Sequence, residues 1–190
     1  MIPLRLMTVF LWYHRSSLSE TLDQADYPIN GPVGIYSPGV AIFRKSKEQK
    51  YTNYTSEEKV HYVAVLTAAA TNKPKTCSKP KTENSYAPPG LYYADPKEPE
   101  LLREKIRIIL RMAAYHGHSR IVLGAIGCGA FCNPRERVAE LFFHVFMEEE
   151  FTGGWFEHIV FAITERDTTD GWNPTRSFDI FWRKLNGVVV

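Results

Sequence analysis

The stretch Arg120-Ile121-Val122-Leu123-Gly124-Ala125-Ile126-Gly127-Cys128-Gly129-Ala130-Phe131-Cys132-Asn133-Pro134 decides how the rest of the sequence is interpreted. Its opening residues, apolar after the arginine, predict a buried strand. Three glycines follow, and glycine lets a ligand approach the backbone without a Cβ in the way. The stretch closes on Asn133 and Pro134, an N-cap and first-turn pattern that Glu136 extends into a capping box. The sequence therefore predicts a strand, a glycine loop and a capped helix in succession.

This order predicts an anion site, because unpaired N–H groups and the helix dipole both point into such a loop. The N–H groups of residues 126–131 are expected to hold phosphate oxygens, and Phe131 offers a flat face to a base or a ribose. The run lacks the lysine and the Ser/Thr of a P-loop, which argues against kinase-like phosphoryl transfer. An ordinary tight connection, with glycines for packing alone, remains the alternative.

Composition sets broad limits on the class of protein. A chain of 190 residues with 44% hydrophobic residues is about one globular domain, and a net charge of +2 gives no indication of DNA binding. No segment is apolar for the roughly 18 to 20 residues that a membrane span needs. The cysteines are odd in number and lack disulfide or zinc spacing, so we expect a reducing cytoplasmic or nuclear location, no metal and no cofactor.

Apolar periodicity predicts an α/β protein. We expect a bent strand or hairpin over 33–44, a strand over 60–67 buried on both faces, and a strand over 156–163. Helices are expected over 100–116, after Pro134, and over 176–186. Their inward residues are predicted to be Leu102, Ile106, Ile109, Leu110 and Ala113 in the first, Val138, Leu141, Phe142, Val145 and Phe146 in the second, and Phe178, Phe181, Trp182 and Leu185 in the third.

Right-handed crossovers would make the later strands parallel, so that the loops after Thr67 and after Leu123 face one crevice. The proline- and lysine-rich residues 73–99 are predicted to form a long loop. Glu148, Glu149 and Glu150 are interpreted as a solvated helix end. His61 is interpreted as a surface or satisfied core residue.

Four segments resemble the microbial-type poly(ADP-ribose) glycohydrolases: 34–44, 66–72, 123–133 and 159–163. They stand in the family's order and spacing. The resemblance implies a macrodomain fold over 1–190, a mixed and largely parallel sheet with helices on both faces, in a domain expected to be incomplete at its N-terminus. It also implies ADP-ribose or poly(ADP-ribose) as partner. The implied ADP-ribose-binding residues are Ser37, Pro38, Gly39, Val40, Thr67, Ala68, Ala69, Asn72, Gly124, Ile126, Gly127, Cys128, Gly129, Ala130, Phe131 and Asn133.

The sequence departs from that family where catalysis is expected. Family members carry a glycine-rich segment and then Gln-Glu-Glu, whose second glutamate is the general acid, shortly before an Arg-Ser-Ser-Leu-like stretch. Here that stretch is residues 15–18, and Val9, Phe10 and Leu11 stand where the acidic motif should be. None of these three can donate a proton to a glycosidic oxygen. Glu20, the nearest upstream carboxylate, is the one weak candidate.

Several interpretations stay open. The chain is an ADP-ribose-binding domain without hydrolysis, a fragment or mispredicted form of an active glycohydrolase, or a remnant that binds nothing. A fourth interpretation is an S-adenosylmethionine-dependent methyltransferase-like protein, because 123–129 resembles the glycine motif of that class and Glu165 follows the next strand.

Overall fold

The computed structural model describes residues 31–55, 58–78, 90–163 and 177–190. Its strands are β1 (Ile35–Ile42), β2 (His61–Thr67), β3 (Thr76–Cys77), β4 (Tyr92–Tyr93), β5 (Arg120–Leu123) and β6 (His158–Phe161). Its helices are α1 (Lys97–Tyr115), α2 (Arg135–Phe146) and α3 (Ser177–Leu185), with a 3-10 turn at Lys47–Gln49. Residues 73–99 are thus not wholly irregular, since β3, β4 and the start of α1 lie among them.

The two long helices supply most of the core, as predicted. All five inward residues of α1 and all five of α2 are buried. Helix α1 ends in a Schellman motif: the His118 N–H donates to the Ala113 carbonyl and the Gly117 N–H to the Ala114 carbonyl. Gly117 has φ +72°, the left-handed conformation that this motif needs.

An aromatic cluster joins α2 to the elements that follow it. The ring of Phe142 lies 5.0 Å from that of Phe161 in β6 and 6.1 Å from that of Phe181 in α3, and Phe161 and Phe181 are 5.4 Å apart. Burying a phenylalanine side chain stabilises a fold by roughly 1.5 to 3 kcal/mol. This cluster therefore fixes β6 and α3 against the helical core.

Strands β1 and β2 form an antiparallel hairpin, and the predicted bend is a register shift between Ser37 and Val40. Within it Gly39 has φ +68°. The prediction that the second strand is buried on both faces is wrong. No residue of β2 is buried, and Tyr62 is 69% exposed. Its apolar composition reflects β propensity and pairing with β1, which do not require full burial.

The predicted largely parallel sheet is also wrong for the described residues. Only β5 and β6 pair in parallel, while β1 with β2 and β3 with β4 pair antiparallel. In β5, Ile121 and Leu123 are buried, but Val122 is 71% exposed and pairs with Val160, which is 47% exposed. The expected helix cover on both faces is therefore not found for this pair in the described ranges.

Helix α3 differs from its prediction in which side it buries. Ile180, Phe181 and Leu185 are buried, whereas Phe178 and Trp182 are 40% and 55% exposed. These two rings stack on each other, 5.9 Å apart. Phe181 and Leu185 are thus buried as predicted, whereas Phe178 and Trp182 are not, and the buried side includes Ile180 instead.

Two of the three glutamates predicted to be solvated, Glu148 and Glu150, form ion pairs with α1. Arg107 donates two hydrogen bonds of 2.6 Å to Glu148, and Arg111 donates bonds of 2.6 and 2.7 Å to Glu150. The Arg111 guanidinium lowers the pKa of Glu150. Among the helices described, none is long and apolar enough to cross a membrane.

Candidate functional site

The segment after β2 and the glycine run after β5, residues 124–133, contact each other directly. The Lys73 N–H donates to the Phe131 carbonyl at 2.9 Å. Within the described ranges β2 pairs with β1 and β5 with β6, so the two strands are not hydrogen-bonded neighbours. The two segments are therefore brought together by contact between the loops and not by adjacent strands.

Asn133 is the centre of this junction. Its side chain is 4% exposed, and its Nδ2 donates to the carbonyls of Thr71 at 2.8 Å and of Gly127 and Phe131 at 3.2 Å each. Its Oδ1 accepts a 2.9 Å hydrogen bond from the Tyr93 hydroxyl. One amide thus joins both loops and strand β4.

This corrects the predicted role of Asn133. The residue before α2 is Pro134, and no side chain caps the helix. The Asn133 side chain instead donates to three backbone carbonyls, of which those of Gly127 and Phe131 also accept a backbone N–H. A buried carbonyl left without a partner would cost about 1 to 3 kcal/mol. The capping-box interpretation with Glu136 is wrong for the same reason.

Gly127 occupies a position where no other residue fits without strain. It is the third residue of a turn that the Cys128 N–H closes onto the Ala125 carbonyl, and its φ is +73°. A Cβ there would lie 2.6 Å from the Ala70 Cβ and 2.6 Å from Asn133 Nδ2. The glycine allows the two loops to approach each other, so its role is packing.

The second half of the glycine run, residues 129–132, differs from Gly127 in its exposure. Residues 129–132 form a turn in which the Cys132 N–H donates to the Gly129 carbonyl, and all four are exposed. The N–H groups of Gly129, Ala130 and Phe131 donate to none of the residues that the structure describes. A Cβ added at Gly124 or at Gly129 would meet nothing within 4 Å. Three consecutive amides without an acceptor in the described part of the chain, next to open space at Gly129, are a suitable arrangement for an anion.

Two residues of helix α1, which were not predicted from the sequence, form hydrogen bonds with the segment after β2. Lys105 is 5% exposed and donates to the Ala69 carbonyl at 2.6 Å, and Glu98 accepts a 2.5 Å hydrogen bond from the Thr71 hydroxyl. Lys105 stands on the apolar stripe, three residues after Leu102 and four before Ile109. A charged residue on a buried helical face was the signal that would have found it.

Burial sets the charge state of the junction. It raises the pKa of Cys128 to about 12, so that the thiol, which an ordinary pKa of 9.0 already leaves protonated at physiological pH, stays neutral well into the alkaline range. It also raises the pKa of Tyr93, which stays a hydrogen-bond donor to Asn133. Burial lowers the pKa of Lys105, partly offset by the Glu98 carboxylate.

The solved structures that this chain resembles are bacterial enzymes. A poly(ADP-ribose) glycohydrolase from Thermomonospora curvata, solved with the inhibitor ADP-HPD, is 30% identical, with a TM-score of 0.56 over 79% of this chain. A second structure of the Thermomonospora enzyme is 32% identical over 80% of this chain, with a TM-score of 0.56. A poly(ADP-ribose) glycohydrolase from Deinococcus radiodurans, in complex with ADP-ribose, is 30% identical with a TM-score of 0.57 over 80% of this chain.

The predicted resemblance to poly(ADP-ribose) glycohydrolases is confirmed. The match covers 48%, 46% and 52% of those three chains, so this chain spans about half their length. No protein-family model and no curated protein matches the sequence.

The predicted site residues before β5 fall into two groups by their place in the structure. Ala68, Ala69 and Asn72 lie in the segment that contacts the glycine run, just after Thr67 at the end of β2. Ser37 to Val40 lie beside the middle of β2, with Ser37 opposite Val65 and Val40 opposite Val63. At about 3.3 Å per residue, that places them roughly 7 to 13 Å from the end of the strand. No hydrogen bond within the described ranges joins them to the glycine run.

The residues on which the catalytic and methyltransferase interpretations depend lie outside the described ranges. These are Val9, Phe10, Leu11 and Glu20 for acid catalysis, and Glu165 for the methyltransferase interpretation. Within the described part of the chain, no group of three or more His, Cys, Asp or Glu side chains is arranged to hold a metal.

Proposed function

We propose that this chain binds ADP-ribose, or the terminus of poly(ADP-ribose), at the junction of residues 67–72 and 124–133. The observation that carries the proposal is the exposed turn 129–131, whose three amides have no acceptor among the described residues, beside the junction that Asn133 joins. The Deinococcus glycohydrolase to which the chain is similar was solved with ADP-ribose. A diphosphate is the group in that ligand to which a row of N–H donors is complementary.

Each part of the proposed site has a distinct task. The amides of Gly129, Ala130 and Phe131 hold the diphosphate, while the neutral Cys128 thiol spares it a repulsive charge. Phe131, whose side chain is 37% exposed, packs against the distal ribose or the base. Thr67 to Asn72 form the opposite wall, and Ser37 to Val40 extend it along β1.

Isothermal titration calorimetry tests the binding proposal. We expect ADP-ribose to bind and S-adenosylmethionine not to bind. The reverse result would overturn the proposal in favour of the methyltransferase interpretation. Gly129→Val should abolish ADP-ribose binding, because its side chain enters the open space in front of the amides. A Gly129→Val protein that binds normally would show that the glycines serve packing alone.

We further propose that this chain does not hydrolyse the ribose–ribose bond. Leaving-group protonation needs a carboxyl group with a raised pKa, and Val9, Phe10 and Leu11 stand where the family has its acidic motif. Incubation with poly(ADP-ribose) should release no ADP-ribose. Release that is lost in Glu20→Gln would identify Glu20 as the acid, and release that persists there would mean that another group supplies the proton.

A further inference from the structure

The buried lysine of α1 is the feature of the junction that packing alone does not explain. Lys105 is 5% exposed, and no described carboxylate lies within ion-pair distance of its Nζ. A buried ammonium without an ionic partner is costly, and a methionine would fill the same space on the apolar face without that cost. Its one described hydrogen bond goes to the Ala69 carbonyl at 2.6 Å.

That hydrogen bond also sets the direction of the neighbouring amide. In a planar trans peptide the carbonyl and the following N–H point in opposite directions. Since the Ala69 carbonyl points at α1, the Ala70 N–H points away from α1. The Ala70 N–H donates to no residue that the structure describes.

The other contacts of the segment place Ala70 next to the glycine run. The Gly127 Cα approaches so closely that a Cβ on it would lie 2.6 Å from the Ala70 Cβ. The Thr71 carbonyl and hydroxyl are held by Asn133 and Glu98. The peptide unit 69–70 is therefore fixed on both sides, and the Ala70 N–H, which has no acceptor among the described residues, lies on the side away from the helix.

We infer that Lys105 is a positioning residue, which turns the Ala70 N–H toward the diphosphate and so adds a donor from the second wall of the crevice. The inference rests on the proposed ADP-ribose site. A cation on the carbonyl polarises the peptide, so the same N–H becomes a stronger donor. The ligand class is an anion that reaches both loops.

Titration of ADP-ribose into three proteins tests this. Lys105→Met should weaken binding about tenfold, the loss typical of one hydrogen bond to a charged group. Lys105→Arg should restore part of that loss. Lys97→Met is the matched control, because Lys97 is an exposed lysine of the same helix, and its affinity should stay within about twofold.

Amide NMR on the unmodified chain provides a readout that a purely structural lysine would not affect. Saturating ADP-ribose should shift the Ala70 N–H resonance downfield, and the shift should shrink in Lys105→Met. Unchanged affinity in Lys105→Met would overturn the inference while leaving the proposed function intact. If Lys105→Met does not fold, an Ala70 resonance that ADP-ribose leaves unmoved in the unmodified chain would overturn it. An unmodified chain that binds no ADP-ribose would overturn both.

Discussion

The two halves of the glycine run perform different tasks although they look alike in sequence. In the first half, Gly127 packs against Ala70 and Asn133, and Cys128 is buried. The second half, from Gly129 to Cys132, is exposed, and the amides of 129–131 have no acceptor among the described residues. Gly127 therefore lets the two loops pack together, while Gly129 leaves room in front of the backbone.

This difference means that the same substitution should have a large effect on stability in one half and a small effect in the other. A methyl group at position 127 meets protein atoms, whereas one at position 129 meets open space. Stability therefore probes the first half, and ligand affinity probes the second.

Gly127→Ala should produce the largest change. The added Cβ lies 2.6 Å from two neighbouring atoms, and φ is +73°. Left-handed strain and overpacking together should lower the free energy of unfolding by about 2 to 5 kcal/mol. Gly129→Ala is the matched control and should change it by less than about 0.5 kcal/mol. Equal losses in urea unfolding would refute the distinction between the two halves.

Asn133→Ala should produce the second largest loss of stability. It leaves the Tyr93 hydroxyl and the Thr71 carbonyl without the partner they have in the folded chain. We expect a loss of about 2 to 4 kcal/mol in unfolding free energy. Tyr93→Phe removes only one of these bonds and should cost about 1 kcal/mol. If the two variants lost the same amount, Asn133 would contribute little beyond its contact with Tyr93.

Phe131→Ala probes the exposed half and should affect the ligand more than the fold. A lost base or ribose contact should weaken ADP-ribose binding by about 1 to 3 kcal/mol. The midpoint of thermal unfolding should stay close to that of the unmodified chain, because Phe131 is 37% exposed. Calorimetry that shows unchanged affinity would remove Phe131 from the site.

The smallest expected effect is the pH dependence of stability that Cys128 causes. Burial raises the pKa of Cys128 from 9.0 to about 12, so above pH 9 the unfolded chain loses this proton while the folded chain keeps it. The stabilising contribution is complete below pH 9 and is lost as pH rises toward about 12. Between pH 9 and 10 it should fall by about 1 kcal/mol. Cys128→Ala should lack this decrease, and the difference between the two profiles isolates the thiol from Lys105 and Tyr93.

The sequence predicted the helical core because helical packing repeats at short range. The inward faces of α1 and α2 follow from spacings of three and four residues, and all ten of those residues are buried. Strand burial was harder to predict. Val122 and Tyr62 are residue types that are common in buried strands, yet both are exposed here. Their exposure depends on which elements pack over them, and residue type alone does not determine that.

Asn133 shows why the site was predicted only in part. Its neighbours Pro134 and Glu136 make a convincing local cap, yet its amide donates to Thr71, 62 positions earlier in the chain. A local pattern carries no information about such a partner. Lys105 differs from Asn133, because its place on an apolar helical stripe is visible in the sequence. Only its hydrogen-bond acceptor, the Ala69 carbonyl, could not be identified without the structure.

The amides of residues 129–131, which have no acceptor in the described ranges, also allow ligand binding at this loop to be detected by hydrogen exchange. Exposed N–H groups without acceptors exchange their hydrogens with deuterated water quickly, while the Cys132 and Asn133 amides, bonded to Gly129 and Gly127, are protected. Any ligand that covers the turn will slow exchange at these three positions. The footprint of a natural ligand can therefore be detected in a mixture before its chemical identity is known.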